Sequence, residues 1–263
     1  MQGNLGASVD IRLERGAAIS GTIRYDDGSP ATGLTVRPLV KQKDKWQSVA
    51  SDSPQSSFDT RTDDQGNYRI SGLPAREYLV EVQLHLSRTL TDIRGNGSGS
   101  SSNDIFSLPI YTGGVFHTSD AKPFTLKLGE ERPDENIDIA LGRLHSVSGN
   151  ITAARDGHIV DAGGILLLHA DDKSLLAQVS LEKDEPTFNL SFVPEGDYTM
   201  RAVNAADVEY EETPNPPGPM PPTNIKPNIT HSYKEAEQPI HVAGDMSGVT
   251  IAVLESAAGS AHP

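Results

Sequence analysis

The chain has 263 residues, the size of two domains of about 130 residues each, with 36% hydrophobic residues, 5% aromatics, 24 glycines and 18 prolines. Its 22 Lys plus Arg face 36 Asp plus Glu, and the formal charge of −14 repels phosphate backbones and acidic lipids, which argues against nucleic acid and membrane-surface partners. Cysteine is absent, so there is no disulfide framework, no thiolate nucleophile and no cysteine-ligated metal.

In chain order, Val9–Leu13 alternates as a strand with nothing upstream to pair with, so it reads as the leftover strand of a preceding unit in a longer protein. The start lacks a basic stretch followed by an apolar one, and no apolar run approaches the roughly 18 residues of a membrane span. Ile19, Gly21, Ile23 and Tyr25 share one parity of a half-buried strand, and the turn Asp26–Pro30 follows. Asp64–Asn67 predicts a hairpin tip, Tyr68 and Ile70 re-enter the core, and Gly72-Leu73-Pro74 turns the chain before a strand with Tyr78, Val80, Val82, Leu84 and Leu86 on one face. By composition, 94–103 is a flexible Gly/Ser loop. Phe124, Leu126 and Leu128 predict another strand, and Ile137, Ile139 and Leu141 a closing one.

The second half repeats the pattern at Phe188, Leu190 and Phe192, at Tyr198, Met200 and Ala202, and at Val249, Ile251 and Val253. Its segment 213–227 carries seven prolines and reads as an extended loop. No window longer than about ten residues has a 3.6-residue period with caps, so the chain is all-β. Residues 9–23 align without gaps on 137–151, a lag of 128 that brings Ser20-Gly21 onto Ser148-Gly149. The expectation is two tandem antiparallel β-sandwich domains, 1–141 and 142–263, with the boundary at Leu141-Gly142 between a closing strand and an opening one.

Thr62-Asp63-Asp64-Gln65-Gly66-Asn67-Tyr68-Arg69-Ile70-Ser71-Gly72-Leu73-Pro74, with Tyr78 and Val80 beyond and Ile19-Ser20-Gly21-Thr22-Ile23 before, resembles the carboxypeptidase regulatory-like family, whose domains are prealbumin-like (transthyretin-like) sandwiches. The match covers 16–86 well and 142–203 weakly, where the Asp-rich turn is missing and Pro194-Glu195-Gly196-Asp197-Tyr198 survives. Residues 104–141 look like the strands that complete such units in tandem bacterial surface proteins.

The eight histidines (85, 117, 145, 158, 169, 231, 241 and 262) fall in no zinc motif and at no spacing that would bind zinc from one element. Asp63-Asp64 and Asp171-Asp172 are explained as turn formers, the EF-hand calcium pattern is absent, and no nucleophile elbow is present. Related surface sandwiches carry a Lys–Asn isopeptide, but the opening strands Ala18–Arg24 and Ser146–Ile151 contain no lysine. The expectation is therefore no catalytic residues, no metal and no cofactor. Overlap of the resembled fold with carbohydrate-binding-like sandwiches makes exposed aromatics the candidate ligand residues: Trp46, Tyr111 and Phe116, with Tyr210 and Tyr233 in the second half. The resemblance implies a non-catalytic extracytoplasmic structural or interaction module of a larger bacterial surface or secreted protein. Its partner would be a protein or glycan at the cell surface, and the alternative is a carbohydrate- or peptide-binding accessory module.

Overall fold

The structure, a computed structural model, describes residues 15–49, 58–93, 99–214 and 223–256. The leading strand expected at Val9–Leu13, residues 94–98 of the Gly/Ser segment and 215–222 of the proline segment lie outside the described residues. The described part is all-β, and its contacts divide the chain into two units, Met1–Leu141 and Gly142–Pro263.

The first unit comprises β1 (Ala17–Tyr25), β2 (Thr35–Gln42), β3 (Lys45–Ser48), β4 (Thr60–Arg61), β5 (Asn67–Leu73), β6 (Glu77–Ile93), β7 (Gly99–Tyr111), β8 (Phe124–Thr125), β9 (Glu131–Arg132) and β10 (Ile137–Ile139). One sheet has the order β10-β1-β5, with β9 also on β1; the other runs β3-β2-β6-β7, with β4 on β2 and β8 on β6. A three-residue 3-10 turn, Leu141–Arg143, leads into the second unit. That unit contains β11 (Leu144–Ala153), β12 (Ala162–His169), β13 (Leu175–Leu181), β14 (Thr187–Pro194), β15 (Gly196–Pro214), β16 (Thr223–Ser232), β17 (Ala236–Val242) and β18 (Met246–Val253). Its sheets have the orders β14-β11-β18 and β13-β12-β15-β16, with β17 on β15.

The two units thus share one plan. The opening strand pairs antiparallel with the strand after the hairpin tip, and the closing strand pairs parallel with the opening one, β10 on β1 and β18 on β11. That parallel pair is allowed because the whole second sheet lies between the two strands in sequence and acts as the crossover. In each unit, inward residues of both sheets make the core: Ile19, Ile23 and Ile70 with Val36, Val80 and Val82 in the first, and Val147, Ile151 and Phe188 with Ile165, Leu167 and Met200 in the second. With 5% aromatics the burial is chiefly aliphatic.

Three local devices recur. Gly21 and Gly149 occupy the same place in β1 and β11: a Cβ on Gly21 would lie 2.3 Å from the Glu135 carbonyl oxygen, and one on Gly149 1.7 Å from that of Val249. Only glycine lets the closing segment come this close. A left-handed bulge follows, two residues ahead of a proline. Gly72 (φ 80°) supplies it in the first unit and Phe192 (φ 60°) in the second. Phe192 therefore leaves the alternation expected for it, and Val193 enters the core in its place. Four residues after each proline a tyrosine hydroxyl donates back to that proline's carbonyl, Tyr78 to Pro74 at 2.8 Å and Tyr198 to Pro194 at 2.9 Å. This is a tyrosine corner, built twice.

The Asp63 turn is held as its residues predict. Asp63 Oδ1 accepts from the amides of Gln65 (2.9 Å) and Asn67 (2.7 Å), and the Asn67 side-chain amide donates to Oδ2 at 3.0 Å. Gly66, at φ 78°, brings its carbonyl to the Ile23 amide, which ties the tip to β1. The Asn67 side chain first, and then the backbone amides, hold the Asp63 carboxyl below its usual pKa. A carboxylate lowered in the folded state stabilises above the unfolded pKa near 4, and that contribution disappears as pH falls through the folded value. Asp63→Asn is therefore expected to lower Tm at pH 7 and to match the parent near pH 2, as read by thermal melts across that range. A gap that persists unchanged at pH 2 would refute the assignment.

Three segments and one residue differ from their expected form. Residues 99–103 lie in β7, and 213–214 and 223–227 in β15 and β16, so the described ends of both expected loops are ladder rather than loop. Polar composition sets no backbone state when a neighbouring strand offers a continuous row of partners. The strand expected through Phe124, Leu126 and Leu128 stops at Thr125, and Leu128 is exposed. Finally, Leu79 on the opposite parity of β6 is buried as fully as Tyr78 and Val80, because Ala121 and Val115 from the segment after β7 cover that face.

Candidate functional site

Two of the three aromatic candidates of the first unit fall on that covered face. Trp46, on β3 opposite Lys41, and Tyr111, at the end of β7, are half-buried and pack with Val115 on Leu39, Leu79 and Ala121. Phe116 is 8% exposed, its area spent on packing. Burial first, and then the charge of Glu81 and a hydrogen bond to it, push the Tyr111 phenol well up. Glu81 is itself buried, accepting from Gln83 Nε2 at 2.6 Å with Arg37 Nε 3.6 Å away. Such an arrangement locks Tyr111 in position, and Trp46 and Tyr111 stand as two partly accessible rings on β3 and β7, at opposite ends of one sheet.

A denser grouping of polar side chains lies in the second unit, at one end of its sandwich. The loop from Ala154 to Asp161 joins β11 to β12. It carries His158, whose Nδ1 is 2.5 Å from Asp156 Oδ1 and whose Nε2 is 3.2 Å from both carboxylate oxygens of Asp207 on β15. Tyr233, just past β16, donates its hydroxyl to Asp207 Oδ2 at 2.7 Å, and His231 on β16 places Nδ1 3.5 Å from the same oxygen. With a carboxylate on each ring nitrogen, His158 is favoured as the imidazolium; the hydrogen bond to Asp156 and then that to Asp207 raise its pKa. Asp156 is lowered in return by His158. Burial, followed by the bond to Asp207, raises Tyr233.

These groups line an open cleft of about 490 Å³, with Arg155, Lys234 and Glu255 at its edges. Of the candidate aromatics only Tyr233 belongs to it; Tyr210 sits on β15 with its ring half exposed. His158 and His231 read as isolated histidines in the sequence because a loop and a distant strand supply them. The available signal is the Asp156-Gly157-His158 turn, in which Asp156 also accepts the His158 amide at 3.2 Å.

No family model matches the chain. No curated protein matches it either. Among solved structures, the chain is similar to a Streptococcal ancillary pilin (TM-score 0.42, 11% identity, covering 92% of this chain and 63% of that one). It is also similar to GBS52, the minor pilin of Streptococcus agalactiae (TM-score 0.38, 10% identity, 94% and 99%), and to the Bacillus anthracis TIE protein (TM-score 0.30, 11% identity, 92% and 34%). The chain thus spans about a third of the TIE protein and just under two thirds of the ancillary pilin. Among the described residues no helix is long and apolar enough to cross a membrane.

Proposed function

We propose that the chain is a non-catalytic structural and interaction module of an extracytoplasmic surface or secreted protein, made of tandem prealbumin-like sandwiches of the carboxypeptidase regulatory-like kind. The observation that carries this reading is the repetition of one sandwich plan, with Gly21 matched by Gly149 and Tyr78 by Tyr198. Each unit closes its own sheet with a parallel strand, and four residues, Ala140 and the 3-10 turn Leu141–Arg143, separate that strand from the next opening one, an economy suited to repetition along a chain. A protein partner at the cell surface fits the net charge of −14, which disfavours polyanions.

Protease shaving of intact source cells tests the location. Peptides of this chain are expected in the shaved fraction without lysis, and their release only after lysis would overturn the reading. A second reading, glycan binding, is favoured by the partial exposure of Trp46 and Tyr111, which pack on the same small cluster of the first unit. A glycan array separates the two: the structural module gives no saturable binding, whereas saturable binding lost in Trp46→Ala would establish the second.

A further inference from the structure

We propose that His158 is a pH-operated latch, which as the imidazolium ties the tip of the loop between β11 and β12 to Asp207 on β15 and as the neutral ring lets that tip go. This goes beyond the module role and stands or falls independently of it. Both ends of the loop are anchored through backbone amides. The Ala154 amide donates to the Val253 carbonyl at 2.9 Å, and Asp161 Oδ2 accepts the Val208 amide at 2.9 Å with Lys183 Nζ 3.2 Å away. Between these anchors, among the described residues, the His158 side chain supplies the contacts from the tip 155–158 to β15 and Tyr233: Nε2 lies 3.2 Å from both Asp207 oxygens and 3.3 Å from the Tyr233 hydroxyl.

The proton count of the ring decides the state of the latch. With Asp156 Oδ1 2.5 Å from Nδ1, both ring nitrogens face a carboxylate. An imidazolium donates from both, whereas a neutral ring has one N–H and turns a lone pair toward the other carboxylate. Tyr233 does not restore the lost bond, because its one hydroxyl proton goes to Asp207 Oδ2 at 2.7 Å. The other charged and titratable groups around the ring are Arg155 on the loop, His231 on β16, Lys234 beyond it and Glu255 beyond β18. Asp156, Asp207 and Glu255 outnumber Arg155 and Lys234, so a proton on His158 meets an excess of carboxylate. The hydrogen bond to Asp156 and then that to Asp207 raise the His158 pKa, so the latch holds below the unfolded value near 6.5 and is lost as pH rises through the higher folded value. Asp156, lowered by the same bond, sets the acid limit: as pH falls through its folded value the carboxylate is lost. Release opens one wall of the cleft, since Arg155, Asp156 and His158 all line it.

The test is nuclear magnetic resonance on the 263-residue protein from about pH 5 to 9, with circular dichroism on each variant to confirm folding. It follows the His158 ring and the exchange protection of the Gly157 and His158 amides, which donate to the Ala153 carbonyl and to Asp156 Oδ1. A peptide of residues 154–161, which has Asp156 and lacks Asp207, is the reference. His158 is expected to titrate at higher pH in the protein than in the peptide. Protection of both amides should fall about two- to fivefold as pH rises through that midpoint, the span of an exposed ion pair. Asp207→Asn should bring the midpoint toward that of the peptide, His231→Gln should leave the transition in place, and His158→Gln should abolish the fall. A midpoint no higher than the peptide's, protection unchanged through it, or the same fall in folded His158→Gln would overturn the proposal.

Discussion

Gly149→Ala is expected to detach β18 from β11 and to cost the second unit about 3 kcal/mol or more. The added methyl would sit 1.7 Å from the Val249 oxygen, 2.6 Å from its carbonyl carbon and 2.8 Å from its nitrogen, all backbone atoms of the paired strand. No rotamer change relieves such a clash; the strands must separate, and Ile251 and Val253 leave the core with them. Gly21→Ala meets the Glu135 oxygen at 2.3 Å. There the clash, against the connection between β9 and β10, is less deep than the 1.7 Å approach at Gly149, so a smaller loss of about 2 kcal/mol is expected. Gly244 has nothing within 4 Å of its added Cβ, and Gly244→Ala should stay within about 0.5 kcal/mol of the parent. Urea melts of the three variants, with amide exchange across Val249–Val253, check the ordering. Equal stability of Gly149→Ala and Gly244→Ala would show that close approach is not what this glycine provides.

Tyr198→Phe and Tyr78→Phe are each expected to cost about 1–3 kcal/mol, from the unfolding transition of the unit concerned. Both rings are buried, and each hydroxyl is the donor to a proline carbonyl four residues earlier. Removing the donor leaves that carbonyl without the bond while the packing of the ring is retained. Burial also pushes the Tyr78 phenol up to about 12, consistent with a hydroxyl that stays protonated and donating at neutral pH. Tyr→Leu at either site adds the loss of ring packing, so Leu variants should be less stable than the Phe variants. Denaturant midpoints for Phe variants that coincide with the parent would mean that proline and tyrosine mark the corner without holding it.

Much of the architecture is legible in the residue order because strands carry it locally. Alternation at Ile19 and Ile23, at Tyr68 and Ile70, and at Ile251 and Val253 places each residue on the face where burial finds it. The lag of 128 also singles out Gly21 and Gly149, although their purpose, room for a neighbouring carbonyl, appears only once the closing strand is in place. Phe192 departs from its expected face because one bulge residue reverses every later side chain on its strand, and in this unit no glycine marks the bulge. Leu79 looks outward in the pattern because alternation assigns one face to solvent and says nothing of the loop that covers it.

The candidate cleft lies beyond such reading for a related reason. Asp156 and His158 are two residues apart, but Asp207 comes from β15 and His231 and Tyr233 from and just beyond β16, and only the register of the β15–β16 ladder, with Asp207 opposite His231, brings them together. Residue order alone determined the acidic, cysteine-free, two-fold β character of this chain, since charge, hydrophobic period and turn chemistry act within a few residues. Tertiary pairing decided which strand closes each sheet, which face is doubly buried and which histidines meet carboxylates, because each of these depends on contacts between segments that hydrophobic period leaves interchangeable.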